Sequence, residues 1–261
     1  GLRLDFNALT SAMVAAADEH RSSGAITTIK VKNHSYGIGG PYVMVTAEAS
    51  ALANSALAGT IHVYAAGNSR GAMDEDSGKW HAQSSPYVIT VAALAPRGTF
   101  SDYSSFGPCV FITSPSNGFV NFVNNNYAGI TTTDRTGASG YNGHPDTNYT
   151  NSFGGTSSAS PLAAGVLAIL KQRVPGLNVR YAKHLLARYS ERVDLADATP
   201  TSDGGWKQNG AGLWFNQNYG FGLINANSLI NGAANWGGVS ALTQSTIGTT
   251  NVAQAIPDST S

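Results

Sequence analysis

Residues 153–165 read Phe153-Gly-Gly-Thr-Ser-Ser-Ala-Ser-Pro-Leu-Ala-Ala-Gly165, and an apolar stretch continues from there. We predict a long helix over 158–173, with Pro161 in its first turn, where a backbone N–H would have no intrahelical partner. The two glycines let the backbone approach a ligand closely. The segment therefore places the Ser157 hydroxyl at a helix N-terminus, where free amides and the helix dipole stabilise developing negative charge.

A serine at this point could simply cap the helix. Capping needs one polar side chain, however, whereas here small residues flank the serine on both sides. The pattern G-T-S-x-A-x-P is the nucleophile motif of the subtilisin-like serine proteases, and the segment resembles it closely. The resemblance implies that Ser157 is an acyl-forming nucleophile and that the substrate is a polypeptide.

A second match lies upstream, in Val63-Tyr-Ala-Ala-Gly-Asn68. An apolar strand ending in A-A-G-N is similar to the family strand whose Asn side chain donates to the oxyanion. A fixed amide donor helps the transition state selectively, because the charge develops only there. An Asn in an ordinary turn is the alternative interpretation. The order and spacing of the two motifs favour Asn68 as the oxyanion donor.

The substrate-binding edge is expected at two further strand ends. Ser35, Tyr36 and Gly37 follow a β-branched run, and Ala66 and Gly67 precede the proposed amide donor. Extended peptides bind proteases by adding a strand to such edges. The resemblance therefore implies that these five residues contact the substrate.

The other two members of a catalytic triad are not evident in the sequence. A serine hydroxyl needs a base and a carboxylate that orients the base, in the family order Asp, His, Ser. The family's H-G-T-x-V-A-G helix and D-x-G turn are absent, and 1–5 resembles the strand after that helix. We therefore expect Asp and His upstream of Gly1 or on another chain. None of the histidines has the expected neighbours, and none is assigned as the base: His20, His34, His62, His81, His144 and His184.

Two functional hypotheses remain open. The chain is either part of an active serine endopeptidase completed by an N-terminal segment carrying Asp and His, or a non-catalytic binding or scaffold fragment that keeps the fold. The Ser157 and Asn68 motifs favour the first. Membership of the sedolisin branch is a third hypothesis that ranks behind these two, because that branch uses an Asp as the oxyanion donor, whereas this chain has Asn68.

The C-terminal third resembles the kexin/furin branch of the subtilases. The resemblance is carried by Pro161-Leu-Ala-Ala-Gly-Val, by Tyr219-Gly-Phe-Gly-Leu-Ile-Asn225-Ala and by Ala234-Asn-Trp236. It implies that residues 1–236 are the C-terminal two-thirds of a catalytic domain. Residues 237–261 are then a linker or the start of a following β-sandwich domain.

Strands and helices alternate along the chain, which predicts an α/β fold with a parallel sheet. The resemblance implies the subtilisin-like three-layer α/β/α sandwich, lacking its N-terminal strands. Residues 116–152 are expected to form hairpins and loops. The predicted helices are 9–23, 42–58, 158–173, 179–189 and 225–234, and the predicted strands are 26–31, 60–66 and 86–93.

Composition excludes several classes of partner. Lys+Arg and Asp+Glu are balanced at 15 each in 261 residues, which argues against nucleic acid or an anionic membrane as the main partner. No run of 18 apolar residues predicts a membrane span. A single cysteine, Cys109, rules out an internal disulfide. The low charge and abundant Ser, Thr, Asn and Gly favour a secreted or periplasmic protein.

An acidic loop, Asp74-Glu-Asp76, is a candidate for binding calcium or a basic substrate residue, and an ordinary solvated loop is the alternative interpretation. The resemblance places Glu75 and Asp102 on acidic calcium ligands of the family, with Gly39-Gly40 where a further acid is expected. Calcium is therefore the one predicted cofactor. Trp80-His81 stands where kexin-type enzymes carry their pocket acid, which argues against specificity for basic residues.

Overall fold

The structure is a computed structural model that describes residues 29–37, 40–72, 75–121, 126–141 and 144–240. The predicted helix over 9–23, most of the predicted strand 26–31 and the tail from residue 241 lie outside the described residues.

Four parallel strands form the main sheet, in the order β1-β2-β3-β4. The strands are β1 (Val31–His34), β2 (Ile61–Ala65), β3 (Val88–Leu94) and β4 (Val110–Pro115). Every residue of β2 and β3 is buried, as expected of parallel strands covered on both faces. No strand was predicted at β4, and β1 begins at the residue where the predicted strand 26–31 ends.

Helices cover both faces of this sheet. They are α1 (Thr46–Leu57), α2 (His81–Ser84), α3 (Thr156–Arg173), α4 (Val179–Tyr189) and α5 (Ala226–Ala234). On one face Leu167, Leu185 and Leu229 of α3, α4 and α5 pack against the sheet. On the other face Leu52 of α1 and Ala82 of α2 pack against Tyr64 and Val88. The structure thus confirms the predicted three-layer α/β/α sandwich.

The predicted hairpin region forms small antiparallel pairs beside the main sheet. They are β5 (Gly118–Asn121) with β6 (Asn126–Ala128), and β7 (Ile130–Thr133) with β8 (Tyr149–Phe153). A further pair, β9 (Lys207–Gln208) with β10 (Trp214–Phe215), lies nearer the C-terminus.

Helix α3 begins at Thr156, two residues earlier than predicted, so Pro161 lies in its second turn rather than its first. Because proline has no N–H, the carbonyl of Ser157 loses its i→i+4 helical donor. That carbonyl instead accepts a hydrogen bond from Ser35 Oγ at 2.9 Å. The residue after β1 is thereby tied to the first turn of the helix.

The Y-G-x-G motif, residues 219–222, is held in place by contacts with the segment around Glu191. Tyr219 is fully buried, and its hydroxyl donates to Asp194 Oδ2 at 2.7 Å. Gly222 has φ +121°, and a Cβ built there would lie 2.3 Å from the carbonyl oxygen of Glu191. Only glycine satisfies both conditions without displacing the backbone. The next residue, Leu223, exchanges two backbone hydrogen bonds with Glu191, which fixes the segment.

Candidate active site

A cleft of about 290 Å³ opens where β1 and β2 end beside the N-terminus of α3. Parallel strands end at the same edge of a sheet, so the residues after β1 and β2 meet there. The cleft contains all seven residues that the sequence predicted as catalytic or substrate-binding. Its lining is Ser35, Tyr36, Gly37, Ala65, Ala66, Gly67, Asn68, Ser69, Trp80, Gln83, Thr156 and Ser157.

The carboxamide of Asn68 has a defined orientation. One of its atoms faces the backbone N–H of Thr156 at 2.8 Å and the Thr156 hydroxyl at 2.9 Å. A backbone N–H only donates, so the atom that faces it must be the amide oxygen. The other amide atom is therefore Nδ2, and among the described residues it has no hydrogen-bond partner.

Thr156 holds this arrangement together, and the sequence analysis gave it no role. Its hydroxyl donates to Asn68 and also accepts from the backbone N–H of Gly67 at 3.1 Å. The side chain is fully buried. The threonine of the G-T-S pattern was the available signal, since a hydroxyl both donates and accepts.

The residue before the helix explains one of the motif glycines. Gly155 has φ +77°, and a Cβ there would lie 3.1 Å from Asn68 Nδ2. A side chain at 155 would thus crowd the amide group and strain the backbone. The N–H of Ser157, at the N-terminus of α3, makes no hydrogen bond within the described part of the chain. Two free N–H donors, from Ser157 and Asn68, therefore border the same cleft.

No histidine in the described ranges contacts the Ser157 hydroxyl. His34 and His62 contact each other, His81 begins α2, His144 bonds to the Asp146 backbone, and His184 packs on Trp236. His20 lies outside the described residues. The described residues thus supply the serine and its neighbouring donors, and they supply no base.

The predicted metal ligands lie apart from this cleft. Glu75 accepts a hydrogen bond from the N–H of Gly71 at 2.7 Å, and Asp102 is exposed. Over the ranges that the structure covers, no three His, Cys, Asp or Glu side chains cluster in a way that could hold a metal. Glu75 and Asp102 therefore do not by themselves fit a calcium ion, which takes six to eight oxygen ligands.

A buried polar chain runs beneath the cleft and was not anticipated. His34 Nε2 lies 2.9 Å from His62 Nδ1, and His34 Nδ1 lies 2.8 Å from the Tyr36 hydroxyl. The His34 ring stacks on Tyr64 at 4.3 Å, whose hydroxyl donates to Glu48 at 2.7 Å. The sequence analysis assigned neither histidine a role. The structure places both in one hydrogen-bonded series of side chains that includes Tyr36, which lines the cleft.

Burial governs the protonation of these groups. It lowers the pKa of His34 well below its usual range, with His62 and Lys32 adding repulsion. It lowers the pKa of His62 to about 3, and His62 Nε2 has no hydrogen-bond partner. Burial also raises the pKa of the Glu48 carboxyl. Both imidazoles are therefore neutral at neutral pH.

The imidazole pair predicts acid sensitivity. The unfolded chain binds a proton near pH 6.5 and the folded chain does not, so stability is full above that pH and falls below it. For His62 alone, whose pKa is about 3, the loss between pH 8 and pH 5 is about 2 kcal/mol. Glu48 acts in the opposite direction, because its raised pKa favours the folded state at low pH. Urea unfolding midpoints at the two pH values measure the net loss.

The matched control for this acid sensitivity is His184→Gln, since His184 is exposed on α4. We expect that variant to keep the full pH dependence, whereas His62→Gln reduces it. An unchanged pH dependence in His62→Gln would contradict the assignment.

Parallel strands that end at a cleft with a serine at a helix N-terminus are typical of α/β hydrolytic enzymes with a serine nucleophile. The chain belongs to the subtilase family, Peptidase_S8, whose sequence profile matches residues 7–222. This match confirms the family predicted from the serine motif.

Individual relatives agree with this assignment. A "Calcium-dependent protease" of Trichormus variabilis is 38% identical over 174 residues, which cover 64% of this chain and 24% of that protein. "Protease KEX1" of Kluyveromyces lactis is 30% identical over 179 residues, covering 68% of this chain and 20% of that protein. A solved serine protease of Aeromonas sobria superposes with a TM-score of 0.72 at 28% identity, covering 85% of this chain and 46% of that one. The chain thus spans about a quarter of the length of the curated relatives it matches.

No helix in the described ranges has both the length and the apolar character needed to cross a membrane.

Proposed function

We propose that the chain is part of a serine endopeptidase that hydrolyses peptide bonds through an acyl-enzyme on Ser157. The observation that carries this proposal is the pair of free N–H donors, Asn68 Nδ2 and Ser157 N, on the cleft that also holds the serine. Such donors stabilise the oxyanion of a tetrahedral intermediate, because they are fixed before the charge develops. Ser35, Tyr36, Gly37, Ala66 and Gly67 would pair with the extended substrate backbone.

The proton of Ser157 needs a base, and we propose that a complementary segment supplies it together with an Asp. The segment either precedes Gly1 or is a separate chain. The position of β1 at the end of the described sheet supports this proposal, because no described strand pairs with its outer edge, where a further strand could add. The similarity to Protease KEX1 supports membership of the kexin-like branch. Residues 1–236 are the proposed catalytic region. We also propose that the protein is exported from the cell.

Calcium dependence is a proposal that the printed name of the Trichormus relative supports. Glu75 and Asp102 are the candidate ligands on this chain, and any site would need further oxygen donors. We expect millimolar calcium to raise the melting temperature and excess chelator to lower it, since a ligand of the folded state alone stabilises it. Identical melting curves under both conditions would contradict the proposal.

A fluorophosphonate probe tests the proposed nucleophile. Protein purified from its native source, where any complementary segment is present, should be labelled at Ser157, as located by peptide mapping. The isolated 261-residue chain should react far more slowly, because residual catalysis without the triad partners is only about 10³–10⁴ over water, a value measured on subtilisin. Mass spectrometry of the native material should show the additional segment.

Ser157→Ala is the control, and it should abolish labelling while the circular dichroism spectrum is unchanged. Native material that is folded yet unlabelled would favour the alternative function, a non-catalytic binding or scaffold fragment with the subtilase fold.

A further inference from the structure

The described residues that line the cleft carry no charged side chain. These twelve residues include no Asp, Glu, Lys, Arg or His. The Tyr36 phenol is the one acidic group among them, and burial raises its pKa to about 12, so it stays neutral. Ala65, Ala66 and Gly67 supply one wall, largely as backbone.

Trp80 restricts the space between these walls. A Cβ built on Gly37 would lie 3.4 Å from the Trp80 ring, so the indole rests against the backbone of the strand segment opposite. Trp80 is also held through its own backbone. Its N–H donates to Ser77 at 3.1 Å, and its carbonyl accepts from Ser84 at 3.0 Å. The backbone of Trp80 is thus anchored where its ring contacts Gly37.

The volume of the cleft, about 290 Å³, lies at the bottom of the roughly 300–1,000 Å³ range of pockets that hold drug-sized ligands. An ionised side chain placed there would lose hydration without a partner of opposite charge among the lining residues. Burial of an unpaired charge is strongly unfavourable, whereas a small neutral side chain carries no such cost.

We infer that the cleft selects substrates with a small, uncharged residue next to the bond that is cut, and that Trp80 sets the upper size limit. This inference rests on the proposed function, because it concerns the same cleft. The inferred preference differs from the cleavage after basic residues that is characteristic of kexin-type enzymes. Gln83, whose amide donates to the Ala65 carbonyl at 3.3 Å, is a neutral polar residue of the cleft lining.

A series of peptides that differ only at this residue tests the inference, with Ala, Leu, Phe, Arg and Glu compared. We expect kcat/KM of the native protein to be at least about tenfold higher for Ala than for Phe or Arg, a discrimination typical of pocket size. Trp80→Ala should raise the Phe-to-Ala ratio at least about tenfold. Trp214→Ala is the matched control, since Trp214 lies on β10 away from the cleft, and its ratio should not change.

Binding of the cleavage products separates this inference from the proposed function. Ser157→Ala protein is titrated by calorimetry with peptides that end in Ala, Phe or Arg, a measurement that needs no catalysis. A preference of the Ser157→Ala protein for the Ala peptide, together with no hydrolysis of any peptide by the wild-type native protein, would overturn the peptidase assignment and support the pocket. A preference for Arg, or binding of none of the peptides, would overturn the inference. If Trp80→Ala does not fold, Trp80→Phe gives the same comparison with a smaller shift.

Discussion

Replacing Asn68 by Ala should lower the rate of peptide hydrolysis by about 10²–10³, the loss measured for the corresponding amide donor in subtilisin itself. The amide oxygen is held by two bonds to Thr156, so Nδ2 is fixed toward the cleft before the substrate binds. A donor that is already oriented requires no reorganisation when the oxyanion forms. The measurement is kcat with a peptide substrate, using variants produced in the native host.

Asn68→Asp is the sharper companion variant. It keeps an oxygen to accept from Thr156, removes the N–H donor and introduces a carboxylate beside the developing oxyanion. We expect it to be as slow as Asn68→Ala while its melting temperature stays near that of the wild type. Thr156→Val keeps the Asn68 Nδ2 donor and should therefore lower the rate of hydrolysis less than Asn68→Ala does. Wild-type turnover in both Asn68→Ala and Asn68→Asp would exclude an oxyanion role for this residue.

Gly222→Ala should destabilise the fold by about 3 kcal/mol or more, combining backbone strain with an unavoidable contact. The new methyl would lie 2.3 Å from the carbonyl oxygen of Glu191 at a φ of +121°. The carbonyl of Gly222 also accepts from the N–H of Thr113 in β4 at 2.9 Å. A shift of the segment therefore disturbs the sheet as well. Calorimetry should show a melting temperature lower by about 10 °C.

Gly210→Ala is the matched control for this loss. Gly210 has no positive φ, and a Cβ there meets nothing within 4 Å. A change within about 0.5 kcal/mol is expected for such a surface position. Equal stability of the two variants would show that the Y-G-x-G segment does not constrain the fold.

The sequence predicted the location of the cleft because its two motifs are local patterns. Small residues around Ser157 and the buried strand before Asn68 can each be recognised without knowing the rest of the fold. The predicted start of α3 was wrong by two residues, because the true start depends on a contact that is not local in the sequence. The group that caps Thr156 is Asn68, 88 residues away, and no local pattern reports a cap supplied from such a distance.

The buried histidines show the same limit more strongly. His34 and His62 meet because β1 and β2 pair in one register, with Lys32 opposite His62, and a shift by one residue would turn each side chain to the other face. Taken singly, neither histidine has neighbours in the sequence that indicate a role. Their contact, 28 residues apart in the chain, depends on strand pairing that periodicity alone does not specify.

The proline in α3 has a mechanical consequence. Because Pro161 leaves the Ser157 carbonyl without its helical donor, the hydroxyl of Ser35 holds that carbonyl in place, and Ser35 immediately follows β1, an end strand of the described sheet. If the proposed complementary segment docks along this strand and rigidifies it, the same hydrogen bond would reduce the motion of Ser157. Under that proposal, docking of the segment and alignment of the nucleophile would be coupled in free energy.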